Sequence, residues 1–132
     1  MMKKIFSATM ACILTCFGLS CQNKTGFRSV SVDEFAEVIA DTSVVVLDVR
    51  TAEEHRAGHI TGTTLHIDVL KPDFDSLAVA NIGKGSTVAL YCRSGNRSKR
   101  AASQLVAKGF KVIELASGYN GWVEAERSKN NE

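Results

Sequence analysis

Two apolar runs, Val44-Val45-Val46-Leu47-Asp48-Val49 and Thr87-Val88-Ala89-Leu90-Tyr91, constrain the fold of this chain more than any other feature. Neither alternates polar with apolar residues, so each reads as a strand covered on both faces, as in a parallel sheet between helical layers. The segments around them supply the helices. Ser31-Val32-Asp33-Glu34 and Thr51-Ala52-Glu53-Glu54 both have the form of a capping box. Phe35, Val38 and Ile39 follow the first box at helical spacing, and Gly58 is placed to stop the short helix opened by the second. Residues 63–67 predict a short strand, 74–82 a weakly periodic helix, 111–115 another strand and 120–127 a last helix. Over 98–108, Ala101, Ala102, Leu105 and Val106 share one face and Lys99, Arg100, Ser103 and Gln104 another. The alternation predicts an α/β fold with a mostly parallel central sheet flanked by helices on both faces. A length of 132 residues is room for one domain, and no internal repeat or low-complexity tract interrupts it.

The first twenty residues read differently. Lys3-Lys4 precedes an uncharged stretch from Ile5 to Leu19, the layout of a secretory signal rather than of a globular helix with a polar face. The stretch is shorter than the roughly 20 residues that span a bilayer. Leu19-Ser20-Cys21 followed by Gln22-Asn23-Lys24 resembles the lipobox of bacterial lipoproteins, with Gly18 where Leu is common. That resemblance implies acylation of Cys21 and a lipid-anchored protein on the periplasmic side of a bacterial membrane. Gln22, in place of an inner-membrane retention Asp, points to the outer membrane; simple cleavage and a soluble periplasmic protein is the alternative. The expected division is therefore a signal peptide over 1–20, a tether over 21–29 and a domain over 30–128.

This division changes what composition means. Four cysteines in a short chain suggest a disulfide framework. By position, Cys12 and Cys16 belong to the signal, Cys21 to the anchor, and Cys92 alone to the domain. The formal charge of +2 loses Lys3 and Lys4 and becomes neutral. It gives no sign of a nucleic-acid partner, which requires a dense basic surface. Charge is nevertheless polarised: residues 76–113 contain no Asp or Glu but carry Lys84, Arg93, Arg97, Lys99, Arg100, Lys108 and Lys111.

Cys92 stands at the carboxyl end of the second apolar run, before Arg93-Ser94-Gly95-Asn96-Arg97 and a helix expected to start near Ser98. Open α/β sheets bind ligands beyond the carboxyl ends of their strands, where a helix N-terminus presents unpaired N–H groups. Gly95 allows the loop to turn more N–H groups inward. Such a cradle lowers a thiol's pKa and favours the nucleophilic thiolate. A polar, glycine-containing loop is also an unpromising place to bury an inert thiol. No metal is expected, because His55, His59 and His66 lack paired ligand spacing with Cys92.

These residues resemble the rhodanese family. Asp48-Val49-Arg50 with Glu53-Glu54 and Gly58-His59-Ile60 looks like its amino-terminal signature, Cys92 to Ser98 like its active-site loop, and Gly118-Tyr119-Asn120-Gly121-Trp122 like its carboxyl-terminal signature. Thr61, Thr63 and Ser117 depart from the usual Pro, Ala and Gly. The resemblance implies a thiosulfate sulfurtransferase without a cofactor. Cys92 takes sulfane sulfur from thiosulfate or a persulfide and passes it to cyanide, a thiol or a protein. Arg93, Ser94, Gly95, Asn96, Arg97 and Ser98 would bind the donor, with Arg97 the leading anion contact. Asp48, Arg50, Glu54 and His59 would form a structural polar network, and Trp122 part of the core. The alternatives are a non-enzymatic sulfur-carrier or protein-binding module, or a rhodanese-like phosphatase or arsenate reductase, whose loop is one residue longer.

Overall fold

The computed structural model describes residues 26–132, so the signal, the lipobox and Cys21 lie outside the described residues. The elements are β1 (Arg28–Val30), α1 (Val32–Ile39), β2 (Val45–Asp48), α2 (Ala52–Ala57), β3 (Leu65–His66), α3 (Phe74–Asn81), β4 (Thr87–Tyr91), α4 (Asn96–Ala107), β5 (Lys111–Leu115) and α5 (Gly118–Asn130). The five strands form one sheet in the order β1-β5-β4-β2-β3, and every pairing is parallel. The α/β architecture with a buried parallel sheet matches the expectation, and β4, which carries Cys92 past its end, sits at its centre.

The pleat of β4 sends alternate residues to two cores. Val88, Leu90 and Cys92 join Leu47, Val49, Phe74, Ala78, Ala101, Ala102 and Leu105 under α3 and α4. Ala89 and Tyr91 join Val46, Phe35, Ile60 and Leu115 on the opposite face, against which Trp122 packs. Strands covered on both sides are the reason the two apolar runs lack alternation.

Three local expectations shift. β1 was not foreseen; Arg28–Val30 pairs with Ile113–Leu115 and takes up the last two residues of the stretch read as tether. Three residues with one buried apolar side chain give no periodicity to read. The helix expected from Ser98 begins at Asn96, with left-handed Gly95 as its N-cap. The box at Ser31 is half formed: Ser31 accepts from the Glu34 N–H, while the Glu34 carboxylate turns to Arg28. The box at Thr51 is complete, with Thr51 and Glu54 each capping the other's backbone.

Candidate active site

Cys92 lies at the carboxyl edge of the sheet, where β4 gives way to a short turn into α4. Its side chain is 1% exposed, so the polar loop does not leave it open but folds over it. The Gly95 N–H donates to Sγ at 3.1 Å. Gly95 has φ +107, which L side chains rarely adopt, and a Cβ there would lie 2.3 Å from the Ala116 carbonyl oxygen. The α4 N-terminus has no side-chain cap, which leaves first-turn N–H groups free for the sulfur. Burial pushes the thiol up, but the Ser98 hydroxyl and the N–H groups of Ser98, Gly95 and Ser94 outweigh it and hold the thiol below its ordinary value. Of the cradle expected over Arg93 to Ser98, the hydrogen-bond geometry shows the Gly95 N–H on the sulfur.

The loop is clamped from above by the start of α5. The Tyr119 N–H donates to the Cys92 carbonyl at 2.8 Å and the Asn120 N–H to the Arg93 carbonyl at 3.0 Å. At Gly118, φ is +66 and a Cβ would sit 2.4 Å from the Arg93 carbonyl oxygen. Sequence reasoning placed Gly118 to Asn120 in a signature without a role; the demand for glycine in Ser117-Gly118-Tyr119 was the available signal.

The two arginines separate. Arg97 donates to both Glu54 oxygens, at 2.7 and 2.9 Å, and this bidentate pair holds Glu54 at about 2, with burial opposing and the Thr51 N–H assisting. Arg93 is exposed and makes no side-chain hydrogen bond or ion pair among the described residues. It borders a cavity of about 260 Å³ shared with Arg50, Glu54, Tyr119 and Asn120. A larger cavity of about 740 Å³, lined by Thr51, His66, Asp68, Lys71 and Leu77, contains neither Cys92 nor its loop. The smaller cavity is the one that the loop after Cys92 borders, through Arg93.

Asp48 and Arg50 do form a polar network. Arg50 donates to Asp48 through Nε at 2.9 Å and Nη2 at 2.7 Å, and to the Gly58 carbonyl at 2.7 Å. His55 Nδ1 and the Tyr91 hydroxyl complete the carboxylate's partners at 2.9 and 3.3 Å. Burial raises Asp48, yet the hydrogen bonds from Arg50 and His55 hold it below the ordinary carboxylate range. Burial pushes the Tyr91 phenol up to about 12, with the Asp48 charge adding to it and the Thr63 hydrogen bond opposing. The unusual Thr63 therefore has a partner, bonding the Tyr91 hydroxyl at 2.8 Å and the Ile60 carbonyl at 2.6 Å. Glu54 does not bond Asp48 or Arg50; it serves Thr51 and Arg97. His59 joins only at the rim, stacking on His55 at 4.1 Å and donating to the His55 carbonyl.

One buried residue was missed altogether. Glu114 on β5 is 0% exposed and accepts from Ser98 at 2.5 Å, from Lys99 at 3.1 Å, and from Ser29. A carboxylate inside the otherwise apolar run Val112 to Leu115 was the readable signal.

A parallel five-stranded sheet with flanking helices agrees with the comparisons with known proteins. The Rhodanese-like domain model matches residues 31–125. The chain belongs to the rhodanese-like family. Among its relatives, the Thiosulfate sulfurtransferase GlpE of Pseudomonas fluorescens (strain SBW25) is 36% identical over 90 residues, covering 67% of this chain and 79% of that protein. The Putative sulfur carrier protein YrkF of Bacillus subtilis (strain 168) is 30% identical over 105 residues, 78% of this chain, which spans 55% of that relative. A rhodanese-like domain protein of Staphylococcus aureus superposes with a TM-score of 0.62 at 26% identity, covering 73% of this chain and 91% of the other. The rhodanese-related protein of Thermoplasma volcanium gives a TM-score of 0.61 at 25% identity, with 75% and 93% coverage. In this rhodanese-like domain the loop after β4 brings the Gly95 N–H onto the Cys92 sulfur.

Proposed function

We propose that the domain is a sulfurtransferase in which Cys92 carries the transferred sulfur. The observation that carries this reading is the Cys92 sulfur, held below its ordinary pKa by N–H donors at the mouth of α4. The thiolate attacks the outer sulfur of thiosulfate. An S–S bond forms at Cys92, the S–S bond of the donor breaks, and sulfite leaves with its electron pair. The cysteine persulfide keeps the single negative charge that the thiolate had, and cyanide or a thiolate then removes its outer sulfur and returns Cys92. No proton is transferred in either step, so the site needs donors for an anion rather than a side-chain acid or base.

Arg93 is the residue we assign to the incoming anion. Arg97, expected from sequence to lead, has two of its N–H groups on Glu54, whereas Arg93 has all of its own to offer. The four residues between Cys92 and Arg97 weigh against a phosphatase, whose loop is one residue longer. Similarity to the Putative sulfur carrier protein YrkF supports a carrier as the second reading. Intact-mass measurement after thiosulfate treatment tests both. The chain is expected to gain one sulfur, lose it to cyanide as thiocyanate, and gain none as Cys92→Ala. No gain from thiosulfate or from a persulfide donor overturns the transferase reading. Gain without turnover to any small acceptor favours the carrier.

A further inference from the structure

Glu114 and Cys92 are joined through Gly95. The pleat of β5 puts Glu114 on the same face as Val112, toward α4. Its buried carboxylate is fixed by two hydroxyls: Ser29, its partner in the register of β1 and β5, and Ser98 in the first turn of α4. It also holds the Lys99 ammonium at 3.1 Å. A lysine side chain that is 51% exposed would otherwise extend its charged head into water. Held where it is, Nζ donates a second hydrogen bond, at 3.2 Å, to the Gly95 carbonyl. The N–H of that same residue donates to the Cys92 sulfur at 3.1 Å. Gly95 is therefore tied at both ends. Those ties matter because glycine has the widest backbone freedom of any residue, and this one, at φ +107 and ψ −6, carries the hydrogen bond to the sulfur.

We propose, building on Cys92 as the sulfur-accepting group, that Glu114 is a positioning residue that acts through Lys99 to keep the Gly95 N–H aimed at the Cys92 sulfur. The carboxylate fixes the ammonium, and the ammonium fixes the Gly95 carbonyl. With its carbonyl held, Gly95 cannot swing its N–H away from the sulfur without breaking the bond to Lys99. The donor is then already in place for the thiolate, with no reorganisation at the moment of reaction. No covalent bond of Glu114, Lys99 or Gly95 changes. The other charged groups near the cysteine come from the neighbouring elements. Arg97 of α4 is held by Glu54 of α2, Arg93 stands in the loop, and Asp48 of β2 is matched by Arg50. All of them are left unchanged in the variants that test the proposal.

The test is the pH profile of Cys92 alkylation by iodoacetamide, an uncharged probe, in the full chain, read by mass spectrometry on the Cys92 peptide so that other cysteines do not contribute. Glu114→Met fills the same space without a strong acceptor and so releases Lys99. Removing a nearby negative charge by itself lowers a thiol's midpoint, whereas losing an N–H donor raises it. The midpoint is expected to rise by about half a pH unit. In a Lys99→Met background the same substitution is expected to add no rise, because the link to Gly95 is already cut. An unmoved or lowered midpoint in Glu114→Met, or a rise of full size without Lys99, overturns the proposal. Should Glu114→Met fail to fold, Lys99→Met alone carries the test, since that side chain is half-exposed. It is expected to raise the midpoint by a similar amount, and the rise is expected to persist in about 1 M KCl, which screens charges more than about 3 Å apart. No rise, or a rise that salt abolishes, overturns the proposal. Sulfur uptake from thiosulfate is measured on the same samples. A missing shift with normal uptake overturns the role of Glu114 alone, and the expected shift in a chain whose wild type takes up no sulfur overturns the transfer reading alone.

Discussion

Asp48 and Glu114 are both carboxylates with no solvent exposure, and they stand on β2 and β5, the two strands that flank β4 and its cysteine. Their partners differ. Asp48 has its own cation two residues away, a buried Arg50 that binds it through two nitrogens, with His55 and Tyr91 around it. Glu114 has the hydroxyls of Ser29 and Ser98 and the half-exposed ammonium of Lys99. A buried charge that is closed by its own counter-charge fixes the backbone that surrounds it. A buried charge satisfied by shared donors remains coupled to whatever shares them. The Asp48 side is thus closed by its own counter-charge, and the Glu114 side by donors drawn from β1 and the first turn of α4, although each is equally buried.

The sharpest way to break this contrast is Asp48→Asn. It leaves Arg50, 3% exposed, without its counter-charge, and removing one partner of a buried pair costs about 3–5 kcal/mol. Chemical denaturation is expected to show a loss of that size. The alkylation midpoint of Cys92 in the folded variant is expected to stay near wild type, because the groups acting most strongly on the thiol are Ser98, Gly95 and Ser94. A loss under about 1 kcal/mol, by the usual scale of exposed pairs, or a large midpoint shift, erases the distinction between the two sides.

The same contrast explains what was legible in the sequence. Asp48 and Arg50 are near neighbours, so their pairing needs little tertiary information. Cys92 was legible because an apolar run, a glycine-containing turn and a helix state their order in the chain itself. Glu114 was not, because its tie to Ser98 spans 16 residues and depends on the pleat of β5. The pairing of Arg97 was not legible for a similar reason: its partner Glu54 lies 43 residues away and is brought in by α2. The early start of α4 escaped because the capping residue is a left-handed glycine rather than a serine. Local chemistry reads from sequence; which of two like charges is already occupied does not.

On the chemical side, Arg93→Gln tests whether the free cation is the one that matters. Loss of an exposed guanidinium that meets an anion only in the reaction is expected to slow sulfur uptake from thiosulfate about tenfold, equivalent to about 1.4 kcal/mol. Uptake from an uncharged alkyl persulfide is expected to change far less. Single-turnover rates of persulfide formation separate the two donors, and equal slowing with both places Arg93 in the scaffold.

The smallest effect belongs to the ion pair that bridges the two sides, Glu54 of α2 and Arg97 of α4. Glu54 titrates at about 2 in the fold against 4.5 without it. Its folded pKa lies below its unfolded one, so the pair contributes stability above pH 4.5. That contribution fades as pH falls through the window between those values and is gone below about 2. The side chains are partly solvated, 24% and 21% exposed, and screening limits the contribution to about 1 kcal/mol. Arg97→Gln is therefore expected to be slightly less stable than wild type at neutral pH and to converge with it on acidification, as denaturation curves from pH 7 to 2 would record. A difference that persists undiminished at pH 2 would mean that Arg97 stabilises the fold by packing against α2 rather than by its charge, and would move α2's contact with the cysteine loop from the electrostatic to the apolar account.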